Sequence, residues 1–202
     1  MTQSFDDRAA TWDDDPKKVE RARVAAASVR SLVPLDPEGH VLEYGAGTGL
    51  LSQHLGDHVG TFTLADPSEG MREVLQRKVE SGIFPGGQVS SLDLTVDPVP
   101  AERYDLIISL LAMHHIIELA PVFKGFAELL NPTGHLCIID LEAEDGSFHK
   151  PGFEGHDGFD RDELAGWLAD AGFAPTRFEH CFDLEKNDRT YELFIAVTQL
   201  GT

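Results

Sequence analysis

Little in this chain of 202 residues invites disulfide formation, membrane insertion or contact with a phosphate backbone. It has only two cysteines, Cys137 and Cys181, which make neither a CxxC pair nor a disulfide framework. Both fall in apolar segments, where a free cysteine acts as a small core residue. Cations are scarce: 16 Lys and Arg stand against 35 Asp and Glu, a formal net charge of −19. Such a surface repels nucleic acid, so no nucleic-acid partner is expected, and the charge serves solubility. No apolar run approaches the roughly 20 residues that span a bilayer, and the amino terminus lacks an apolar signal core. The expectation is no membrane association and a reducing cytoplasm. Hydrophobic residues at 42% and charged residues at 25% are ordinary for a globular chain. The length fits one domain over residues 1–202.

Strands and helices alternate along the chain. Asp15 caps and Pro16 opens a helix that carries Val19, Ala22, Ala26, Val29 and Val33 at helical spacing. Pro34 and Pro37 close it. After a glycine loop, strands are expected at Thr61–Asp66, Gln88–Leu92, Tyr104–Leu111 and His135–Asp140. Helices are expected over Ser68–Ser81 and Leu119–Leu130, and around Leu164–Ala171. Two last strands, Thr176–Leu184 and Tyr191–Gln199, are linked only by Glu185–Arg189. So short a link forces an antiparallel hairpin. The pattern predicts an α/β fold, a doubly wound and mostly parallel sheet with one reversed strand.

The stretch Val41-Leu-Glu-Tyr-Gly-Ala-Gly-Thr-Gly-Leu-Leu-Ser52 organises the rest. Gly45, Gly47 and Gly49 let backbone turn sharply and approach a ligand closely. A pyrophosphate cofactor prefers G-x-G-x-x-G/A, but here the spacing is G-x-G-x-G and Leu50 stands where the third glycine belongs. Glu43 suits a cationic ligand better than a pyrophosphate. The run E-x-G-x-G-x-G resembles motif I of the class I S-adenosylmethionine (SAM)-dependent methyltransferases, of the small-molecule type that includes ubiquinone and menaquinone biosynthesis. That resemblance implies a seven-stranded Rossmann-like sheet, SAM as cofactor and methyl transfer to a small molecule by direct in-line displacement. Glu43, Gly45, Ala46 and Gly47 then seat the methionyl end of SAM.

Asp66 follows the second strand, where a ribose-binding acid belongs in this architecture. Asp66-Pro67-Ser-Glu-Gly-Met71 resembles the family's D-x-S-x-x-M pattern, whose methionine packs beside adenine. Leu92-Asp93-Leu94 matches the adenine-binding position: Asp93 accepts from the amino group and the leucines touch the ring. Backbone at Leu110 corresponds to a contact with the methionyl part, and Ala112–His115 line the way to the acceptor. His115 is the candidate general base, although a structural role for the His114-His115 pair is the stronger expectation. Residues 1–34 read as a lid or helical flank, with Phe5 and Trp12 over the cofactor. Residues 141–160 read as an acceptor-side loop closed by Phe148, Phe153 and Phe159. His149 and His156 lie there among acids, but no tight ligand spacing is present and no metal is expected. His180 shares parity with Phe178 and Phe182 and is expected half-buried. The rival readings are a non-catalytic SAM-binding protein and an NAD(P)-dependent oxidoreductase.

Overall fold

The computed structural model describes residues 5–201, so Met1–Ser4 of the expected lid and Thr202 lie outside the described residues. A short helix α1 (Phe5–Ala9) precedes α2 (Pro16–Leu32), whose first turn is capped by Asp15 accepting from Lys17 N–H at 3.0 Å. The chain then runs β1 (His40–Tyr44), α3 (Leu50–Gln53), β2 (Thr61–Ala65), α4 (Glu69–Glu80) and β3 (Gln88–Ser90). It continues through β4 (Tyr104–Leu110), α5 (Leu119–Leu129), β5 (Leu130–Leu141), α6 (Arg161–Asp170), β6 (Arg177–Lys186) and β7 (Arg189–Thr198). The sheet has seven strands in the order β3-β2-β1-β4-β5-β7-β6. Only β7 is reversed, running antiparallel to both β5 and β6. The alternating pattern and the closing hairpin therefore fold as expected.

Period two along the central strands divides the core. Val41, Leu106, Ile108, Cys137 and Ile139 face the layer of α2, α3 and α4, built on Ala25, Val29, Leu51, Leu55 and Leu75. Leu42, Tyr44, Ile107, Leu136 and Ile138 face α5 and α6 through Val122, Phe123, Phe126, Leu129, Leu164 and Leu168. With both faces covered, the strands read as near-continuous apolar runs. The same alternation sends Glu43 under α3 and Tyr44 under α5.

Three local expectations change. The hairpin turn is only Asn187-Asp188, with φ of 54° and 57°, because Lys186 and Arg189 already pair. Asn and Asp tolerate the left-handed backbone that a two-residue turn of this kind requires. A bulge between His180 and Phe182 resets the alternation of β6. His180 keeps the parity of Phe178 but loses that of Phe182, and it is exposed and paired to Asp183 at 2.8 Å, not half-buried. Finally, β5 begins at Leu130 opposite Tyr104, and the Asn131–Gly134 turn is absorbed as an irregularity before His135 pairs with Leu106.

Phe126 is fully buried and meets Tyr44 edge-on at 5.1 Å. Phe126→Ala is expected to cost about 3–5 kcal/mol in urea unfolding. A loss below 1 kcal/mol would show that α5 does not anchor this face.

Candidate active site

The carboxyl ends of β1, β2 and β4 meet where an open α/β sheet places its ligand. Gly45 N–H and Ala46 N–H both donate to Ala65 O at 2.9 Å, fastening the glycine loop to the end of β2. Gly45, Gly47 and Gly49 have φ of 70°, 57° and 77°. Their roles differ. A Cβ on Gly45 would lie 2.3 Å from Ala112 Cβ, whereas among the described residues nothing stands within 4 Å of the Cβ position on Gly47. Gly45 is therefore required by packing, and Gly47 borders open space.

Asp66 is 7% exposed and accepts from Gly47 N–H at 2.7 Å and from Ser68 N–H at 2.9 Å. Desolvation raises its pKa above the usual carboxylate value, and these two donors pull against that. One donor on each oxygen leaves lone pairs for a diol. Asp93 Oδ1 accepts from the N–H and hydroxyl of Thr95. Leu94, expected beside an adenine ring, instead turns into the core against Gly125, whose Cβ position is 3.0 Å away. Its N–H donates to Tyr44 Oη at 2.9 Å, and burial pushes the Tyr44 hydroxyl up to about 12. Leu92 is half-buried, Met71 is buried and Pro67 is exposed.

Glu43 lies beneath the loop at 2% exposure, its Oε2 accepting from Ser52 N–H at 3.1 Å. The side chain braces α3 from below. Burial pushes its pKa up to about 7 despite the Ser52 donor and nearby Lys78.

Leu110 ends β4 half-buried, and Leu111 follows with φ 53°, a left-handed conformation that a bulky residue rarely adopts. This strained turn, which sequence patterning missed, leads into the 3-10 turn Met113–His115. His114 is 1% exposed and its Nδ1 lies 2.6 Å from buried Asp140 Oδ1. His115 keeps an open edge, yet desolvation and then His114 and His149 depress its pKa to about 3. The ring is neutral at neutral pH and a weak proton acceptor.

The segment between β5 and α6 folds back on this turn: His156 N–H donates to His114 O at 2.8 Å. His149 stacks on Phe153 at 3.7 Å and stands 5.1 Å from the His114 ring and 5.3 Å from the His115 ring. Thus the structure brings together three histidines where no metal-type cluster was expected, because their proximity is made by the fold and not by local spacing. His156 points elsewhere, toward Phe159 and Trp167. Phe159 is 2% exposed and belongs to the core, so only Phe148 and Phe153 of the expected aromatic trio border the histidines.

The amino-terminal arm lies over the same cleft. Asp6 Oδ1 accepts from Ser68 Oγ at 2.6 Å and from Gly70 N–H at 2.8 Å. Asp13 accepts from Thr48 Oγ1 at 2.5 Å and pairs with Lys78 Nζ at 2.7 Å, while Lys78 also donates to Thr48 O. Trp12 is half-buried with Lys18 Nζ 3.9 Å from its ring centroid, and Phe5 meets His115 edge-on at 5.3 Å.

Residues 18–177 match the family of the methyltransferase domain. The chain belongs to that family, the class I SAM-dependent methyltransferases. It is 28% identical to an uncharacterized methyltransferase of Schizosaccharomyces pombe over 54% of this chain and 41% of that one. It is 30% identical to an uncharacterized methyltransferase of Oceanobacillus iheyensis over 69% of this chain and 66% of that one. The chain thus spans less than two thirds of the length of these curated relatives. The structure of the DhpI–SAH complex superposes with a TM-score of 0.74 at 18% identity, over 98% of this chain and 93% of that one. That likeness speaks for the fold.

The cofactor of this methyltransferase family is SAM. The residues present fit it: open space beside Gly47, unused acceptor capacity on Asp66, and no phosphate-binding third glycine. Among the described residues, no helix is long and apolar enough to cross a membrane.

Glu43 carries a pH signature. Its carboxyl ionises near 4.5 when unfolded and about 7 when folded, so stability falls as pH rises from 4.5 through 7, by about 3 kcal/mol in all. Glu43→Gln keeps the shape and removes the titration. The stability of the variant relative to wild type should therefore grow between pH 5 and pH 8 in urea unfolding, and a constant difference would refute the assignment.

Proposed function

We propose that this methyltransferase transfers a methyl group to a small-molecule acceptor by direct in-line displacement. The observation that carries this reading is the free flank of Gly47 beside the Asp66 carboxylate, with a wall of aromatic and histidine side chains beyond Ala112. SAM, when bound, supplies an electrophilic sulfonium methyl. Asp66 holds both ribose hydroxyls, Asp93 accepts from the adenine amino group, and Leu92, Pro67 and Met71 border the base. Gly45, Ala46 and Gly47 present backbone to the methionyl part, Glu43 supports them from beneath, and backbone at Leu110 faces the donor. His115 borders the acceptor side with His149 and Phe153.

Transfer of this kind depends mainly on placing the acceptor atom roughly 3 Å from the methyl with its lone pair aligned. Residues 1–34 serve as a lid, with Trp12 over the cofactor, and residues 141–160 as the acceptor-side loop of a single domain. Closing the two excludes water, which strengthens the electrostatics and prevents side reactions. The charge of −19 favours a small metabolite over nucleic acid. Two free cysteines suit a reducing cytoplasm.

Two measurements test the reading. Gly47→Ala should fold at a cost of about 1–2 kcal/mol while losing at least tenfold in affinity for S-adenosylhomocysteine by calorimetry. Gly45→Ala should lose more stability, because of Ala112, and Asp66→Ala should abolish binding. Cell extract incubated with the enzyme and methyl-labelled SAM should yield a labelled small molecule. Label confined to macromolecules would overturn the acceptor class, and binding without any labelled product would leave a non-catalytic SAM-binding protein.

A further inference from the structure

Three imidazoles converge beside the acceptor wall, and methyl transfer by positioning alone gives them no task. We propose that His114, His115 and His149 form a binding site for a divalent transition-metal ion of the zinc type, with Asp140 as the carboxylate that orients His114. One ligand atom from each histidine lies within 4.8 Å of the other two. The Nδ1 of His114 donates to Asp140 Oδ1 at 2.6 Å, which leaves Nε2 as a lone-pair donor. Asp140 is itself fixed, since Oδ1 also accepts from Leu141 N–H at 2.8 Å and the side chain is fully buried. A carboxylate behind a histidine is the usual outer partner of a metal-bound imidazole.

The second observation is what these rings lack. His114 Nε2 and His149 Nε2 are both buried without a hydrogen-bond partner among the described residues. Buried polar atoms left unpaired are uncommon in folded proteins, and an ion is one of the few things that explains them.

Imidazole ligands suit zinc, copper, iron and nickel. Nitrogens around a tetrahedral zinc at its usual bond length stand roughly 3.4 Å apart, against separations here of up to 4.8 Å, so the cluster must contract by as much as about 1.4 Å. His149 can supply that movement, because it sits on the irregular segment between β5 and α6 and is held by stacking on Phe153. The nearby cations are Arg8 and Lys186, which lie over Phe5 at 4.9 Å and over Phe148 at 3.6 Å. Their charge opposes an ion here, and the Asp140 carboxylate offsets it. With three protein donors and an open edge at His115, a fourth position remains for water or for a donor atom of the acceptor.

Metal binding is measured separately from methyl transfer. The full chain, free of any tag and stripped with chelator, is titrated with Co²⁺ while visible absorbance is followed. The expected result is one Co²⁺ per chain, with the ligand-field bands of a four-coordinate imidazole site that Zn²⁺ then displaces. Asp140→Asn should weaken binding at least tenfold. His149→Ala should do the same with an unchanged circular dichroism spectrum, and His58→Ala, at an exposed histidine elsewhere, should bind as wild type does. No saturable absorbance, or equal affinity in His149→Ala, overturns the site. A parallel titration with S-adenosylhomocysteine shows whether the cofactor reading stands on its own.

Discussion

A close approach that admits no side chain governs the functional end of this molecule. Because β1 and β4 are neighbours, with Glu43 opposite Ile108, the loop after one and the turn after the other leave the sheet side by side. They pass with 2.3 Å between Ala112 Cβ and the point where a Cβ on Gly45 would lie. Once the two segments are pressed together, the rest has few choices. Gly45 and Ala46 donate back to Ala65, Gly47 reaches Asp66, and Leu111 is driven into the left-handed region. A bulky residue held there costs on the order of 1–2 kcal/mol. That strain persists because Leu111 N–H is tied to Ile139 O at 2.8 Å and the following turn is clamped by Asp140.

The order of strands and the reversed last strand were legible because they follow from periodicity and from a link too short for a crossover. That Gly45, Gly47, Asp66 and Asp93 gather at one end was legible for a related reason: they follow strands, and the strand order brings strand ends together. What stayed hidden depends on single insertions or on distant partners. One extra residue at Cys181 puts Phe182 on the opposite face from His180, which is exposed. The pairing of His114 with Asp140, and the arrival of His149, join segments with no local signal. Leu94 entered the core because Tyr44 and Gly125, both far away in sequence, made room and supplied an acceptor.

The large negative charge also acquires structural work beyond solubility. Asp15 and Asp160 accept from N–H groups at the starts of α2 and α6, and Asp6 reaches across from α1 to Gly70 at the start of α4. Glu144 accepts from Ser147 and Phe148 N–H in the irregular segment after β5, and Glu43 from Ser52 N–H near the start of α3. Carboxylates near helix starts satisfy orphan donors and meet the positive end of the helix dipole. Much of the acidity near the cleft is thus committed to backbone, and Asp13 to Lys78 and Thr48.

The two sides of the cleft are built by different means, and this bears on how the enzyme could diverge. The side of the glycine loop is held mostly by backbone donors and glycine space, which tolerate little substitution. The facing side, where the acceptor is proposed to lie, is made of side chains, His115, His149, Phe148 and Phe153, on a turn and an irregular segment. Yet the segment is indexed to the turn by main chain: His156 N–H meets His114 O, and a Cβ on Gly155 would fall 2.2 Å from that same oxygen. The turn that Gly45 fixes from one side is therefore the turn that fixes the 148–156 segment from the other. Side chains on 148–153 can change without moving the glycine loop, whereas a change at Ala112 or Gly155 moves both.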